Sequence, residues 1–294
     1  MDAFICDAIR TPIGRYGGAL AKMRPDDLAA HVIKGLMDRH PLLEPMAIDE
    51  VIFGAANQAG EDNRNVARMA LLLAGLPVEV PGSTINRLCA SGMDAVASVA
   101  RGIRAGDYEV AIAGGVESMS RAPFIMPKAD TAFSRSNQIF DTTIGWRFIN
   151  PKIEASFGVD SMPETADNVA SEYKVSKADQ DAFALRSQQR WAAADAAGIF
   201  ANEILPVHIE QQRGDTIVID QDEHPRPETS LEKLNKLGGI NGPKSTVTAG
   251  NASGVNDGAA ALLLASKKGL ETHGLKSIAR ILGVAAAGVA PRIM

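Results

Sequence analysis

Strand-like and helix-like segments alternate through the first 118 residues, and no other property of this chain narrows its fold as far. Residues 3–7 read as a strand. Residues 25–40 read as a helix with Leu28, Val32, Leu36 and Met37 on one face, 50–54 as a strand, and 65–74 as a helix ended by Gly75 and Pro77. A strand over 81–86, a helix from Ser91 to Arg104 and a strand over 109–113 complete the series. Alternation of this kind predicts an α/β fold, with a mostly parallel sheet and right-handed crossovers.

The pattern breaks near Ser118. From there to about Lys244 the chain reads as loops and helices: an irregular stretch over 142–157 with Trp146 and Phe148, and a helix over 163–173. A long helix follows, opened by a Ser176-Lys177-Ala178-Asp179 cap and stopped by Gly198. Strands at 204–209 and 216–219 and a charged loop at 222–227 close the block. Strand character returns after residues 246–250 in the apolar run 257–265, so the block is expected to be an insertion. A last strand is expected at 277–283, with no partner elements before the chain stops at Met294.

Charge and cysteine usage exclude several classes. The net charge is −5 and both signs are dispersed, with no basic tract for nucleic acid or for a membrane surface. No apolar run approaches a membrane span, and the N-terminus begins a strand rather than a basic and then apolar leader. Two cysteines in 294 residues make no disulfide framework and favour a reducing compartment. A cytoplasmic protein that binds neither nucleic acid nor membrane is expected. No metal-ligand cluster, P-loop or dinucleotide fingerprint is present, so no metal is expected.

Cys89 lies in Asn86-Arg87-Leu88-Cys89-Ala90-Ser91-Gly92-Met93, where a strand-like run turns into a helix. A thiol at a helix N-terminus faces unpaired N–H groups and the positive end of the dipole, which favour thiolate over thiol. The position suits a nucleophile held at the carboxyl end of a sheet. A buried, inert cysteine is the alternative, and it is the expected reading for Cys6 inside its apolar run.

Five histidines could partner Cys89. His31 and His40 lie on a helix that reads as a surface amphipath, His208 in a strand, His224 in the charged loop and His273 near a short helix end. None occupies a small-residue turn that would expose a base, so no Cys/His pair can be assembled. Residues 248–259, rich in Gly, Asn, Ser and Asp, allow tight turns and close backbone approach to a polar ligand, or form a plain connecting loop.

Four segments, Cys6-Asp7-Ala8-Ile9-Arg10-Thr11-Pro12, Asn86 to Gly92, Gly114-Gly115-Val116-Glu117-Ser118-Met119-Ser120 and Gly250-Asn251-Ala252-Ser253-Gly254, occur in the order seen in the thiolase family, which the chain therefore resembles. The runs 60–68 and 158–168 are most similar to members that act on 3-oxoadipyl-CoA. The resemblance implies a layered α/β/α domain with a mixed sheet over 1–118 and 246–273. It also implies an inserted loop domain over 119–245 and only the start of a second thiolase domain over 274–294.

The resemblance also implies roles. Cys89 matches the nucleophile that carries the acyl group as a thioester. Ser253 matches a residue touching the pantetheine arm of coenzyme A, and Ala249 a neighbour lining that tunnel. Met162 matches a pocket residue of the loop domain, where Ser161 replaces a histidine carried by many acetoacetyl-CoA thiolases. Arg226 matches a position near the nucleotide end of coenzyme A. Coenzyme A and acyl-CoA enter as substrates, with no permanently bound cofactor, and the family implies a homodimer or homotetramer.

Three further catalytic parts of the family lie in Asn-Glu-Ala-Phe, Gly-His-Pro and Cys-x-Gly-x-Gly motifs, and none occurs here. The expected activity is coenzyme A-dependent cleavage of 3-oxoadipyl-CoA to succinyl-CoA and acetyl-CoA. The alternatives are an acetyl-CoA acetyltransferase of broader range and a truncated, inactive fragment that binds coenzyme A or dimerises.

Overall fold

The computed structural model describes residues 1–211 and 214–294, which divide into two compact units. The first comprises 1–123, 201–223 and 256–285; the second comprises 124–200, 224–255 and 286–294. These boundaries fall at other places than those expected from sequence: 201–223 and 274–285 cluster with the first unit, and 246–255 with the second.

In chain order the first unit opens with strand β1 (Ala3–Arg10), β2 (Gly14–Arg15), helix α1 (Pro25–Arg39), β3 (Glu50–Gly54), α2 (Val66–Leu73), β4 (Gly82–Ile85), α3 (Ser91–Ala105) and β5 (Val110–Ser118). The second contributes β6 (Phe124–Ile125), β7 (Phe140–Asp141), α4 (Pro151–Phe157), α5 (Met162–Glu172) and α6 (Lys177–Ala196). Next come β8 (Val207–Ile209) and β9 (Ile217–Ile219) in the first unit and α7 (Leu231–Asn235) in the second. The first unit then ends with β10 (Asn256–Ser266), α8 (Lys267–His273) and β11 (Ala279–Ile281).

The main sheet runs β11-β1-β10-β5-β3-β4, with β2 against the start of β10. Only β3 with β4 and β3 with β5 pair in parallel. The sheet is therefore mixed, as the family resemblance implies, rather than mostly parallel as the alternation suggests. The cause is β10, which re-enters beside the point where β5 leaves: Asp257 pairs with Ser118, and the two strands run antiparallel for their whole length. The closing strand β11 does find a partner, pairing Ile281 with Ala3 at the edge of β1.

Period-two alternation sorts the sheet residues onto two faces. Val51, Phe53, Val110, Ile112, Ala261 and Leu263 pack with α1 and α2. Ile52, Ala111, Ala113 and Leu264 pack with Ala95, Val99, Ala100 and Ile103 of α3. Helices on both faces make this an α/β/α layering.

Local chemistry explains the helix ends. α1 begins with Pro25 at its first turn, has Asp26 and Asp27 beside it and ends on Arg39, each matched to the helix dipole. α3 stops at Gly106, whose φ of 91° is left-handed. In the second unit the Asn150 side chain accepts the Lys152 N–H ahead of Pro151, so α4 forms inside a stretch whose sequence reads as irregular. Ser176 caps α6 by accepting the Asp179 N–H. No helix among the described residues is long and apolar enough to cross a membrane.

Candidate active site

The parallel strands β3, β4 and β5 bring their carboxyl ends to one edge, with Gly54 in register with both Ile85 and Gly115. α3 starts on that edge because the sheet there has no side chains. A Cβ on Gly54 would lie 2.2 Å from the Ser91 carbonyl carbon and 2.4 Å from the Gly92 nitrogen. One on Gly115 would lie 3.2 Å from the Gly92 Cα. The helix backbone therefore rests directly on strand backbone, and the turn before it is lifted to the surface.

That turn carries Cys89, which is exposed, and among the described residues its thiol makes no hydrogen bond. Leu88 has φ of 47°, a conformation that non-glycine residues seldom adopt. The Ser91 hydroxyl donates to the Leu88 carbonyl at 2.6 Å and accepts the Arg87 N–H at 2.8 Å. Ala90, the N-cap of α3, offers no side-chain cap, so this helix end keeps backbone donors free of side-chain partners. Arg87 is turned to Asp94, Nε to Oδ2 at 3.0 Å.

Cys6, His31 and His40 have other surroundings and partners. Cys6 is buried, and burial, aided by the Asp7 carboxylate, pushes its thiol up to about 11. His31 donates from Nε2 to the Pro206 carbonyl at 2.9 Å, and burial lowers its pKa. His40 Nε2 meets the Asp7 carboxylate at 3.0 Å. α1 is more deeply packed than its sequence suggests: both faces of the helix contribute buried residues, among them Leu28, Ala30, Val32, Ile33 and Gly35. The expectation of a surface amphipath fails because α1 is pressed between the sheet and the segment that includes Leu205 and Pro206.

The second unit holds the other four sequence-derived residues. Ala249 and Ser253 lie exposed on one loop whose buried and half-buried members fix it from below. Asp167 of α5 accepts the Thr246 N–H at 2.9 Å, the Val247 N–H at 3.3 Å and the Asn241 amide at 2.8 Å. Burial opposes the ionised form of Asp167, but these hydrogen bonds, with one from Ser245, outweigh it and lower the pKa. Fully buried Asp181 of α6 accepts Lys177 Nζ at 2.5 Å and the Asn251 amide at 3.0 Å, and Asn251 in turn accepts the Thr248 N–H at 2.7 Å.

Met162 begins α5, partly exposed, beside a mainly apolar pocket of about 320 Å³ that includes Thr165, Val169, Val175 and Met294. Its helix is tied to the 246–253 loop through Asp167. Arg226 is exposed and donates from one guanidinium nitrogen to the carbonyls of His224 at 2.9 Å and Pro225 at 2.8 Å. Sequence reasoning missed Asp167 and Asp181, whose carboxylates are indistinguishable along the chain from the other charges of polar helices.

The sequence matches the model of the thiolase N-terminal domain over residues 3–268. The chain belongs to the thiolase family. It is 67% identical to a beta-ketoadipyl-CoA thiolase of Pseudomonas putida, over the whole of this chain and 73% of that protein. It is 61% identical to the 3-oxoadipyl-CoA/3-oxo-5,6-dehydrosuberyl-CoA thiolase of Escherichia coli K12, with the same coverage. Among solved structures it resembles human mitochondrial 3-ketoacyl-CoA thiolase in complex with CoA, with a TM-score of 0.88 and 36% identity over 99% of this chain and 71% of that one. This thiolase thus spans about three quarters of the length of its relatives.

Proposed function

We propose that this thiolase chain carries the nucleophile and coenzyme A-facing residues for cleavage of 3-oxoadipyl-CoA into succinyl-CoA and acetyl-CoA. The observation that carries the reading is the exposed Cys89 at the start of α3, on a glycine floor at the carboxyl edge of parallel strands. The substrate follows from similarity: relatives named for 3-oxoadipyl-CoA or its synonym are 58–67% identical, against 44% for an acetyl-CoA acetyltransferase of Chromobacterium violaceum.

In the reaction the Cys89 thiolate attacks the ketone carbon. The bond between that carbon and the α-carbon breaks, its electrons leave with acetyl-CoA as the enolate, and a proton completes acetyl-CoA. The succinyl group stays on Cys89 as a thioester until the thiol of coenzyme A displaces it, forming succinyl-CoA and restoring the cysteine. Ser253 and Ala249 serve the pantetheine arm, Met162 the acyl pocket and Arg226 the nucleotide end. The domain reading that goes with these roles is 1–118 and 246–273, 119–245, and 274–294.

A homodimer or homotetramer in the cytoplasm, serving the breakdown of aromatic compounds, completes the proposal. Exposed Phe124, Met126, Phe133, Ile139 and Trp146 support self-association. The second reading, a chain that binds coenzyme A or self-associates without turnover, is favoured by one observation: no base is hydrogen-bonded to Cys89 among the described residues.

The test is incubation of this chain with 3-oxoadipyl-CoA, followed by intact mass and by product release when coenzyme A is added. A succinyl adduct on Cys89, absent in Cys89→Ser, and preference over acetoacetyl-CoA support the proposal. Adduct formation by Cys89→Ser refutes it. Coenzyme A binding with no adduct selects the second reading.

A further inference from the structure

We infer that Asn86 and Glu117 are positioning residues that hold Leu88 in its left-handed conformation and so present Cys89 at the start of α3. The inference rests on the reading of Cys89 as the nucleophile. Its starting point is a conformation that must be held in place. Leu88 has φ of 47°, and the residue is 70% exposed, so burial of its side chain does not secure the backbone. A strained residue persists only where its surroundings over-determine it.

Both polar groups of the Leu88 backbone are committed. Its carbonyl accepts the Ser91 hydroxyl at 2.6 Å and the Ser91 N–H at 3.0 Å, bonds local to the helix start. Its N–H donates to Oδ1 of Asn86 at 2.8 Å. Asn86 is itself anchored away from the helix: its amide donates to the Ala56 carbonyl at 2.8 Å, in the turn that follows β3.

Glu117, in β5, fixes that turn, accepting the Ala56 N–H on Oε2 at 2.9 Å and the Asn57 N–H on Oε1 at 3.3 Å. The relay thus gathers the ends of three adjacent parallel strands, β5 through Glu117, β3 through Ala56 and β4 through Asn86. It brings their rigidity to the one strained residue before the cysteine.

The test is the rate at which iodoacetamide alkylates Cys89, read by intact mass, since Cys89 is exposed and Cys6 is buried. Releasing a non-glycine residue from the left-handed region lowers the population of the presented turn by about 5- to 30-fold, so Asn86→Ala slows alkylation by that factor. Glu117→Gln slows it less, because an amide oxygen still accepts one N–H.

The discriminating arm is Leu88→Gly. Glycine takes the left-handed conformation without penalty, so Leu88→Gly alkylates near the parent rate, and the loss from either relay variant shrinks several-fold in that background. A purely structural role for Asn86 and Glu117 predicts equal losses in both backgrounds, and that result, or parent rates in Asn86→Ala, overturns the inference. Urea midpoints are recorded for every variant, and Glu117→Gln carries the comparison if Asn86→Ala does not fold. Alkylation involves no acyl-CoA. A missing succinyl adduct therefore refutes the function while leaving this inference standing, and equal losses do the reverse.

Discussion

Replacing Gly54 by alanine would put a methyl group 2.2 Å from the carbonyl carbon of Ser91 and 2.4 Å from the nitrogen of Gly92. Carbon atoms rest about 3.5–4.0 Å apart, so the start of α3 must move by at least about 1.3 Å or β3 must yield. Neither obstacle is a side chain that can rotate away. Overpacking typically costs about 1–3 kcal/mol, and contact with backbone on both sides puts this case near 3 kcal/mol. With an m-value of roughly 2 kcal/mol/M, the urea midpoint falls by about 1.5 M. With Cys89 as the proposed nucleophile, a displacement of about 1 Å there also lowers acyl transfer roughly 100-fold.

The internal control is Gly92→Ala. Its Cβ would meet nothing nearer than 3.8 Å, and alanine is the better helix former by roughly 0.5–1 kcal/mol, so its midpoint holds or rises. Urea unfolding of the three proteins decides the matter. A parent-like midpoint for Gly54→Ala, or greater damage from Gly92→Ala, would refute the claim that bare backbone contact seats the Cys89 turn.

Four further outcomes are expected. Alkylation at neutral pH adds one group per native chain, on Cys89; the second appears only on denaturation or as pH nears about 11, where burial has pushed Cys6. Asp167→Asn lowers stability by about 1–2 kcal/mol at neutral pH through its charge-assisted hydrogen bonds. Because the folded pKa of Asp167 lies below its unfolded value, that contribution is complete above the ordinary carboxylate range. It is lost as pH falls through the folded pKa, so the two unfolding curves should converge in acid. Asp181→Ala leaves Lys177 and Asn251 without their buried partner and costs about 3 kcal/mol in urea unfolding, loosening the 246–253 loop. Leu263→Ala, fully buried in the sheet core, costs about 3–5 kcal/mol in the same assay.

Much of the first unit was legible because its signals are local. The strand at Glu50–Gly54 has the bounds its apolar run suggests, and α1, α2 and α3 end within a residue or two of their capping and stop residues. Other elements were harder. β5 runs on through Gly114 and Gly115 to Ser118, although two glycines argue for a turn there, because β10 pairs with it to its last residue. α4 is short, and within a stretch that reads as irregular only its Asn150-Pro151 start marks it locally. In the candidate site, Cys89 was visible from its place between strand and helix, whereas Glu117 had no visible task until the turn after β3 folded against it.

The order of elements, the position of Cys89 at a strand–helix junction and membership of the thiolase family were all determined along the chain. Each depends on residues within a few positions of one another or on ordered motifs. The direction of β10, the glycine floor beneath α3, the bond between Asn86 and Ala56, 30 residues apart, and the capture of Ser120 by Asp257, 137 residues apart, were decided only by tertiary structure. Their physical reason is shared: a missing side chain or a lone carboxylate acquires meaning only when the backbone it must meet arrives from a distant part of the sequence.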